Sequence, residues 1–166
     1  TADAIVIAII CRLALEKGLD TAIASISLAL AEVSPELRNR IRVIIAGDGP
    51  IRKQVEEDIS KRGLDQTCVL WGDTPAKDVL SLLAMSDIFL NTSTRGTCLP
   101  MSILEAMASG CAVIASSEPL ANVQLLAEGR GIAVAPENPT QTSQALVRLV
   151  KDLELCCHMG SLARSY

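Results

Sequence analysis

Residues 87–116 read DIFLNTSTRGTCLPMSILEAMASGCAVIAS, and this stretch decides the fold class. An apolar run (DIFLNTS) leads into a polar loop, a segment of helical character (MSILEAMASG) and a second apolar run (CAVIAS). Gly110 at the end of the helical segment is typical of a helix stop. A strand, a loop, a helix and another strand in this order predict a parallel βαβ unit.

The same alternation continues in both directions along the chain. Further strand-length apolar runs lie at residues 4–10, 41–47, 67–72 and 131–135, and a helical segment follows each one. The first of these helices is expected to start with Asp20 as its N-cap. Because the runs are apolar on both faces, they indicate strands covered by helices on both sides. Six such units predict one α/β domain over residues 1–166, a Rossmann-like doubly wound six-stranded parallel sheet with helices on both faces.

Composition excludes several classes of protein. The 166 residues include 49% hydrophobic and 20% charged side chains, which suits one domain with a substantial core. A net charge of −4 with scattered basic residues argues against a nucleic-acid partner. One Trp, one Tyr and one Phe cannot build a stacking surface for bases. The short apolar runs and the lack of a signal segment favour a cytoplasmic location.

Six cysteines and one histidine do not predict a metal site, because no C-x-x-C pair occurs among them. Cys11, Cys68 and Cys111 lie in strand-like runs and are interpreted as small buried hydrophobic residues.

Ligands of doubly wound sheets bind at the carboxyl ends of the strands, so the loops that follow strands carry the functional hypotheses. Arg12 and Lys17 follow the first strand, either as two surface cations or as a site for a phosphate or diphosphate. Gly47 and Gly49 follow the second strand, either in a plain tight turn or where the backbone approaches something closely. The glycine fingerprint of dinucleotide-binding domains follows none of the strands.

The loop after the fourth strand contains Thr97, Cys98 and Leu99, and the helix behind it offers free backbone N–H groups to an anion. Glu105 lies about one turn inside that helix, either exposed on its outer face or held to accept hydrogen bonds from hydroxyl groups. Together the three loops suit a nucleoside diphosphate, with Glu105 receiving the ribose hydroxyls, better than they suit NAD.

The segments CRLALEKGLD, IIAGDGPIRKQVEE, VLWGDTP, LLAMSDIFLNTS and LPMSILEAMASGCAVIAS resemble, in this order, a known family. It is the C-terminal, nucleotide-sugar-binding domain of retaining glycosyltransferases of the two-domain GT-B type (glycosyl transferases group 1, glycosyltransferase family 4-like). The resemblance covers residues 4–135. It implies that Arg12 and Lys17 bind the donor diphosphate and stabilise it as the leaving group, and that Glu105 binds the ribose.

The resemblance also implies the remaining donor contacts. Backbone amides of Cys98 and Leu99 and the start of the helix at Ser102 would hold the phosphate and sugar. The base would lie near the loop after the third strand, at Gly72 and Asp73. Trp71 next to it could form a wall of the base site, but a packed strand-end residue is the expectation.

One position departs from the family's pattern, in which two glutamates are spaced E-x7-E and the first contacts the donor sugar. Eight residues before Glu105 stands Thr97, and no acid occurs between Asp87 and Glu105. A hydroxyl can bond to a sugar, but it cannot place negative charge beside a developing oxocarbenium ion.

The resemblance therefore predicts the donor half of an enzyme of polysaccharide or glycoconjugate biosynthesis. This enzyme would move a sugar from a nucleoside-diphosphate sugar to an acceptor hydroxyl with retention of configuration, without a cofactor or metal. Its expected partners are an N-terminal acceptor domain of the same protein and an acceptor saccharide or lipid-linked sugar, the latter at the inner membrane face. The chain alone is expected to be inactive. The alternative is a catalytically lapsed nucleotide-sugar-binding or interaction module of the same fold, and a sugar-nucleotide epimerase is a third hypothesis.

Overall fold

The computed structural model describes residues 3–94 and 101–166. Its six strands form one parallel sheet with the order β3-β2-β1-β4-β5-β6. The strands are β1 (Ile5–Ile10), β2 (Ile41–Ala46), β3 (Cys68–Gly72), β4 (Ile88–Asn91), β5 (Ala112–Ser116) and β6 (Gly131–Val134). The predicted Rossmann-like doubly wound sheet is confirmed. The strand order reverses between β1 and β4, and this is the switch point at which such sheets bind ligands.

Helices cover both faces of the sheet, as predicted. The described residues form α1 (Leu19–Glu32), α2 (Pro35–Arg38), α3 (Arg52–Lys61), α4 (Ala76–Ala84), α5 (Met101–Ser109), α6 (Leu120–Leu126), α7 (Pro139–Lys151) and α8 (Leu153–Ser165). Buried side chains of α1, α3 and α7 pack in one cluster on one face. Those of α4, α5 and α6 pack in a second cluster on the other face, and α8 contributes to both.

The alternation of side chains along the strands builds these two clusters. Ile7 and Ile9 of β1 join the first cluster, whereas Ala8 between them joins the second. In β4, Phe89 points into the second cluster and is fully buried. Each buried Ile or Phe side chain contributes about 1.5–3 kcal/mol through removal from water. The sheet is therefore a rigid platform for the loops at its carboxyl edge.

Two features of the helices were not foreseen from the sequence. Helix α1 begins at Leu19 with Gly18 at its N-cap, so Asp20 lies in the first turn and the expected N-cap is wrong. The short helix α2 was not predicted; the Ser34 hydroxyl accepts a hydrogen bond from the Leu37 N–H at its start. The expected helix stop at Gly110 is confirmed by its φ of 84°.

Candidate functional site

The loop after β1 carries both predicted cations to the carboxyl edge of the sheet. Arg12 follows the end of β1 and is exposed, and Lys17 ends a single 3-10 turn (Leu15–Lys17) and is half-buried. Gly18 then takes a left-handed conformation, φ 61°, and α1 begins. We call residues 11–18 the cation loop. It lies beside the switch point, at the edge of the sheet where the diphosphate site is predicted.

The glycines after β2 pack against the cation loop. A Cβ atom on Gly47 would lie 2.9 Å from the carbonyl carbon of Cys11, and one on Gly49 would lie 2.8 Å from the amide nitrogen of Leu13. Real Cβ atoms essentially never show contacts below 3.0 Å. Of the two readings left open for these glycines, the structure shows the close approach, and its partner is the chain's own backbone.

Hydrogen bonds join the same two loops. The Leu13 N–H donates to the Asp48 carbonyl at 3.0 Å, and the Ile51 N–H donates to the Leu13 carbonyl at 3.2 Å. Asp48 in turn accepts from the Gly49 N–H at 2.7 Å and pairs with Arg52 at 3.3 Å. The position of Arg12 is therefore set by the loop after β2.

The exit of β4 holds the other end of the cation loop. The Thr92 hydroxyl lies 2.8 Å from the Gly18 carbonyl and 3.2 Å from the Lys17 carbonyl, and the side chain is buried. The Thr94 N–H donates to the Glu16 carbonyl at 2.9 Å. Sequence reasoning missed Thr92, because no pattern in the sequence links it to Gly18 and Lys17, which lie 74 and 75 positions earlier in the chain.

Helix α5 carries Ser102 and Glu105, and both are half-buried. The backbone carbonyl of Glu105 accepts a hydrogen bond from the Ser109 hydroxyl at 2.8 Å. Of the predicted donor contacts in the preceding loop, Thr97, Cys98 and Leu99 lie outside the described residues.

A pocket of about 340 Å³ opens between the loops after β1, β2 and β3. It brings together Arg12, Gly47 and Asp73 of the predicted site, and the rest of its lining is Ile10, Cys11, Ala46, Asp48 and Thr74. Gly72 lies beside it with φ 86°, and its carbonyl accepts a hydrogen bond from the Gly47 N–H at 2.7 Å. Lys17, Ser102 and Glu105 are not part of this lining.

A larger cavity of about 560 Å³ lies on the other side of the cation loop. Three carboxylates line it, from Glu16, Glu118 and Glu137, together with Leu15, Thr94 and Pro136. Glu118 and Glu137 follow β5 and β6, so their position after strands was the only signal that could have singled them out in the sequence.

The predicted packing of Trp71 is wrong. Trp71 is 60% exposed: it lies at the end of β3, one of the two edge strands, where packing does not bury this face of the strand. Trp71 instead lines a separate groove with Pro75, Leu82 and Met85.

Two of the three cysteines predicted to be buried lie in the core. Cys68 is 6% exposed and Cys111 is fully buried, as predicted, whereas Cys11 is only half-buried and borders the pocket. Burial raises the pKa of the Cys11 thiol to about 11; nearby Lys17 lowers it and Glu16 raises it. Within residues 3–94 and 101–166, no three His, Cys, Asp or Glu side chains are grouped to hold a metal ion. None of the helices in this described part is long and apolar enough to cross a membrane.

Fold and edge together define a Rossmann-like α/β domain with two openings at the carboxyl edge of its sheet. Arg12, Asp48 and Asp73 line the first, and the second is lined by three glutamates. The switch point of such a sheet is where a ligand is expected. The particular family follows from comparison of the sequence. The model of the family "Glycosyl transferases group 1" matches residues 2–166, and the chain belongs to this family.

Known proteins agree with this assignment. One subunit of the phosphatidylinositol N-acetylglucosaminyltransferase of Arabidopsis thaliana is 30% identical over 155 residues, which are 91% of this chain and 32% of the relative. This chain thus spans about a third of the length of that relative. The C-terminal domain of the glycosyl transferase group 1 protein LpcC from Francisella tularensis has the same fold, with a TM-score of 0.84 at 22% identity over 97% of this chain and 83% of that one. Anabaena Alr3699/HepE, in complex with UDP and glucose, gives a TM-score of 0.85 at 22% identity over 99% of this chain and 43% of that one.

Proposed function

We propose that this chain is the C-terminal, donor-binding half of a glycosyltransferase and that its cation loop binds the diphosphate of a nucleoside-diphosphate sugar. The observation that carries the proposal is the placement of Arg12 and Lys17 on one loop beside the switch point, with hydrogen bonds fixing that loop on both sides. Family membership supplies the reaction class, glycosyl transfer. The complex of Anabaena Alr3699/HepE with UDP and glucose supports a nucleoside diphosphate as the ligand of this fold.

The neighbouring residues suit the rest of such a donor. The pocket beside Arg12, with Asp73 at its wall and Gly72 next to it, is large enough for a base. Glu105 lies half-buried on α5, the helix that follows the switch-point strand β4, and we assign it to the ribose hydroxyls. Cys98, Leu99 and Ser102 would bind the phosphate and sugar, and the Thr97 hydroxyl would bind the sugar.

The proposed chemistry is electrostatic. In glycosyl transfer, the bond between the anomeric carbon and a diphosphate oxygen breaks, and negative charge grows on the departing diphosphate. Arg12 and Lys17 would stabilise this charge without a metal or cofactor, because fixed charged donors need no reorganisation during the step. The sugar would pass to an acceptor hydroxyl with retention of configuration.

The longer protein would supply what this chain lacks. An N-terminal domain would bind the acceptor, a saccharide or a lipid-linked sugar, and the chain alone would bind the donor without transferring it. We place the protein in the cytoplasm, at the inner membrane face when the acceptor is a lipid.

A second candidate function rests on Thr97. Since a threonine occupies the position of the family's first glutamate, the site could bind a nucleotide sugar as a catalytically lapsed module. In the longer protein, nucleotide release that depends on acceptor identifies a transferase, whereas donor binding without release identifies the module.

The donor site is tested by calorimetric titration of the chain with UDP, GDP, ADP and UDP-glucose. We expect weak binding that prefers one base, and Arg12→Ala should weaken it about 10- to 100-fold, since a charged hydrogen bond contributes about 1.5–3 kcal/mol. Glu105→Gln should weaken binding of the nucleotide, but the diphosphate should contribute as much to the remaining affinity as it does in the parent chain. Arg148→Ala, which removes an exposed arginine from α7, is the matched control and should bind like the parent chain.

Two results would contradict the proposed donor site. If no nucleotide binds the parent chain at millimolar concentration, the cation loop is not a donor site in this chain. If a nucleotide binds but Arg12→Ala and Arg148→Ala weaken it equally, its phosphates lie elsewhere.

A further inference from the structure

Thr92 lies where the two halves of the candidate site meet. It follows β4 directly, on the chain segment that leads towards α5 with Ser102 and Glu105. Its hydroxyl, however, reaches back to the cation loop, 2.8 Å from the Gly18 carbonyl and 3.2 Å from the Lys17 carbonyl. Thr92 is only 5% exposed, so water cannot easily replace these bonds.

The backbone around this contact is fitted closely. Gly18 has φ 61°, and a Cβ atom there would lie 3.1 Å from the carbonyl carbon of Thr92 and closer to its oxygen. The Gly18 carbonyl also accepts from the Ala22 N–H at 3.0 Å, so Thr92 ties the start of α1 as well as the end of the cation loop. The Lys17 carbonyl is held within this arrangement, and the Lys17 N–H donates to the Ala14 carbonyl at 3.0 Å, so the backbone that carries the lysine side chain is fixed.

We infer that Thr92 is a positioning residue for the donor diphosphate: its hydroxyl fixes the Lys17 backbone, so that the ammonium group meets the phosphates from the switch point. This inference rests on the proposed donor function. It adds a residue that touches neither the nucleotide nor the sugar and acts through Lys17.

The expected signature is a selective loss. Thr92→Val keeps the volume of the side chain but removes the hydroxyl, whose single hydrogen is shared between the Gly18 and Lys17 carbonyls. Both carbonyls lose this partner, and the end of the cation loop is free to shift. The contribution of the β-phosphate to binding should then fall, while base and ribose binding should persist. A general loss of stability does not produce this pattern.

The experiment measures the dissociation constants of UDP, GDP and ADP, each against its monophosphate, for the folded chain. In the parent, the diphosphate of the preferred base should bind more tightly than the monophosphate. In Thr92→Val this preference should fall about five- to tenfold, the size expected for one hydrogen bond. Thr92→Ser, which keeps the hydroxyl, should restore it.

Thr142→Val is the matched control. Thr142 is fully buried, and its hydroxyl donates to the Asn138 carbonyl at 2.9 Å in the first turn of α7, so the variant loses the same chemical group elsewhere. It should lower thermal stability and leave the preference for the diphosphate unchanged.

The outcomes separate the two hypotheses. An unchanged diphosphate preference in Thr92→Val, with the parent binding normally, overturns the role of Thr92 and leaves the donor site standing. Failure of the parent to bind any of the nucleotides overturns both. If Thr92→Val does not fold, Gly18→Ala provides the same displacement with the hydroxyl intact, and a parent-like preference in that variant overturns the inference.

Discussion

Substitution of Gly49 by alanine tests whether the loop after β2 positions Arg12. A Cβ atom at Gly49 would lie 2.8 Å from both the carbonyl carbon and the amide nitrogen of Leu13, whereas ordinary contact begins at 3.4 Å. The Leu13 carbonyl oxygen would lie closer still, so the two loops must separate by more than about 0.6 Å. Because both partners are backbone, no side-chain rotation can relieve the overlap.

The cost has two opposing parts. Overpacking typically destabilises by about 1–3 kcal/mol, and the loss of glycine's freedom in the unfolded chain returns about 0.4–1 kcal/mol. A net loss of about 1–2 kcal/mol corresponds to a decrease in Tm of about 2–8 °C for a chain of this size. Displacement of Arg12 should also weaken UDP binding about tenfold, since misplacement by a fraction of an ångström to one ångström disrupts charged contacts.

Thermal unfolding and calorimetry on the same samples measure both effects. Gly63→Ala is the control: Gly63 has φ 66° at the end of α3 with no atom within 4 Å of a Cβ, so alanine there costs stability through backbone strain alone. We expect both variants to lose stability but only Gly49→Ala to lose affinity. Equal affinities in the two variants would refute the idea that this glycine sets the cation loop.

Three further predictions concern packing and thiol chemistry. Gly160→Ala in α8 should lower Tm although alanine has the better helix propensity, because the added Cβ would lie 2.9 Å from the Gly110 carbonyl carbon. The control Ser161→Ala, on the exposed side of α8, should not lower Tm. In peptide-resolved alkylation at pH 8, exposed Cys157 should react much faster than the cysteines whose pKa burial raises to about 11 or 12, namely Cys11, Cys68, Cys111 and Cys156. These thiols bind protons more tightly in the folded chain than in the unfolded chain. Chemical denaturation should therefore show stability that falls between pH 9 and 12, by up to about 1.4 kcal/mol per pH unit for each thiol, whereas below pH 9 the thiols add no pH dependence. Stability that rises between pH 9 and 12 would contradict the assignment.

The sheet was predictable because each strand is a short apolar run that can be recognised from its own residues. β1 is apolar on both faces, and side chains pack against both faces in the structure. The pattern of residues 4–10 alone was therefore enough to identify a buried strand. The start of α1 was not predictable in this way, since Asp20 is a good N-cap by residue type. In the structure Gly18, which packs closely against the Thr92 backbone, is the N-cap, and the helix begins at Leu19.

The candidate site was predictable only as a set of loops. Arg12 and Lys17 lie at the expected edge, because parallel strands send their carboxyl ends to one side. What holds them there involves partners distant in sequence, such as Thr92, which no local pattern reveals. Trp71 shows the same limit. Its place at the end of an apolar strand predicts burial, but the strand order, which the sequence does not reveal, puts β3 at an edge of the sheet, and Trp71 is exposed.

The exposed position of Trp71 also gives the protein a built-in optical reporter. It is the sole tryptophan of the 166 residues, and it immediately precedes Gly72, which is followed by Asp73 at the wall of the candidate base pocket. Indole emission is sensitive to changes in solvation, and here it comes from one known place at the edge of the sheet. Emission from the unlabelled chain therefore reports on the loop after β3 without background from any second indole.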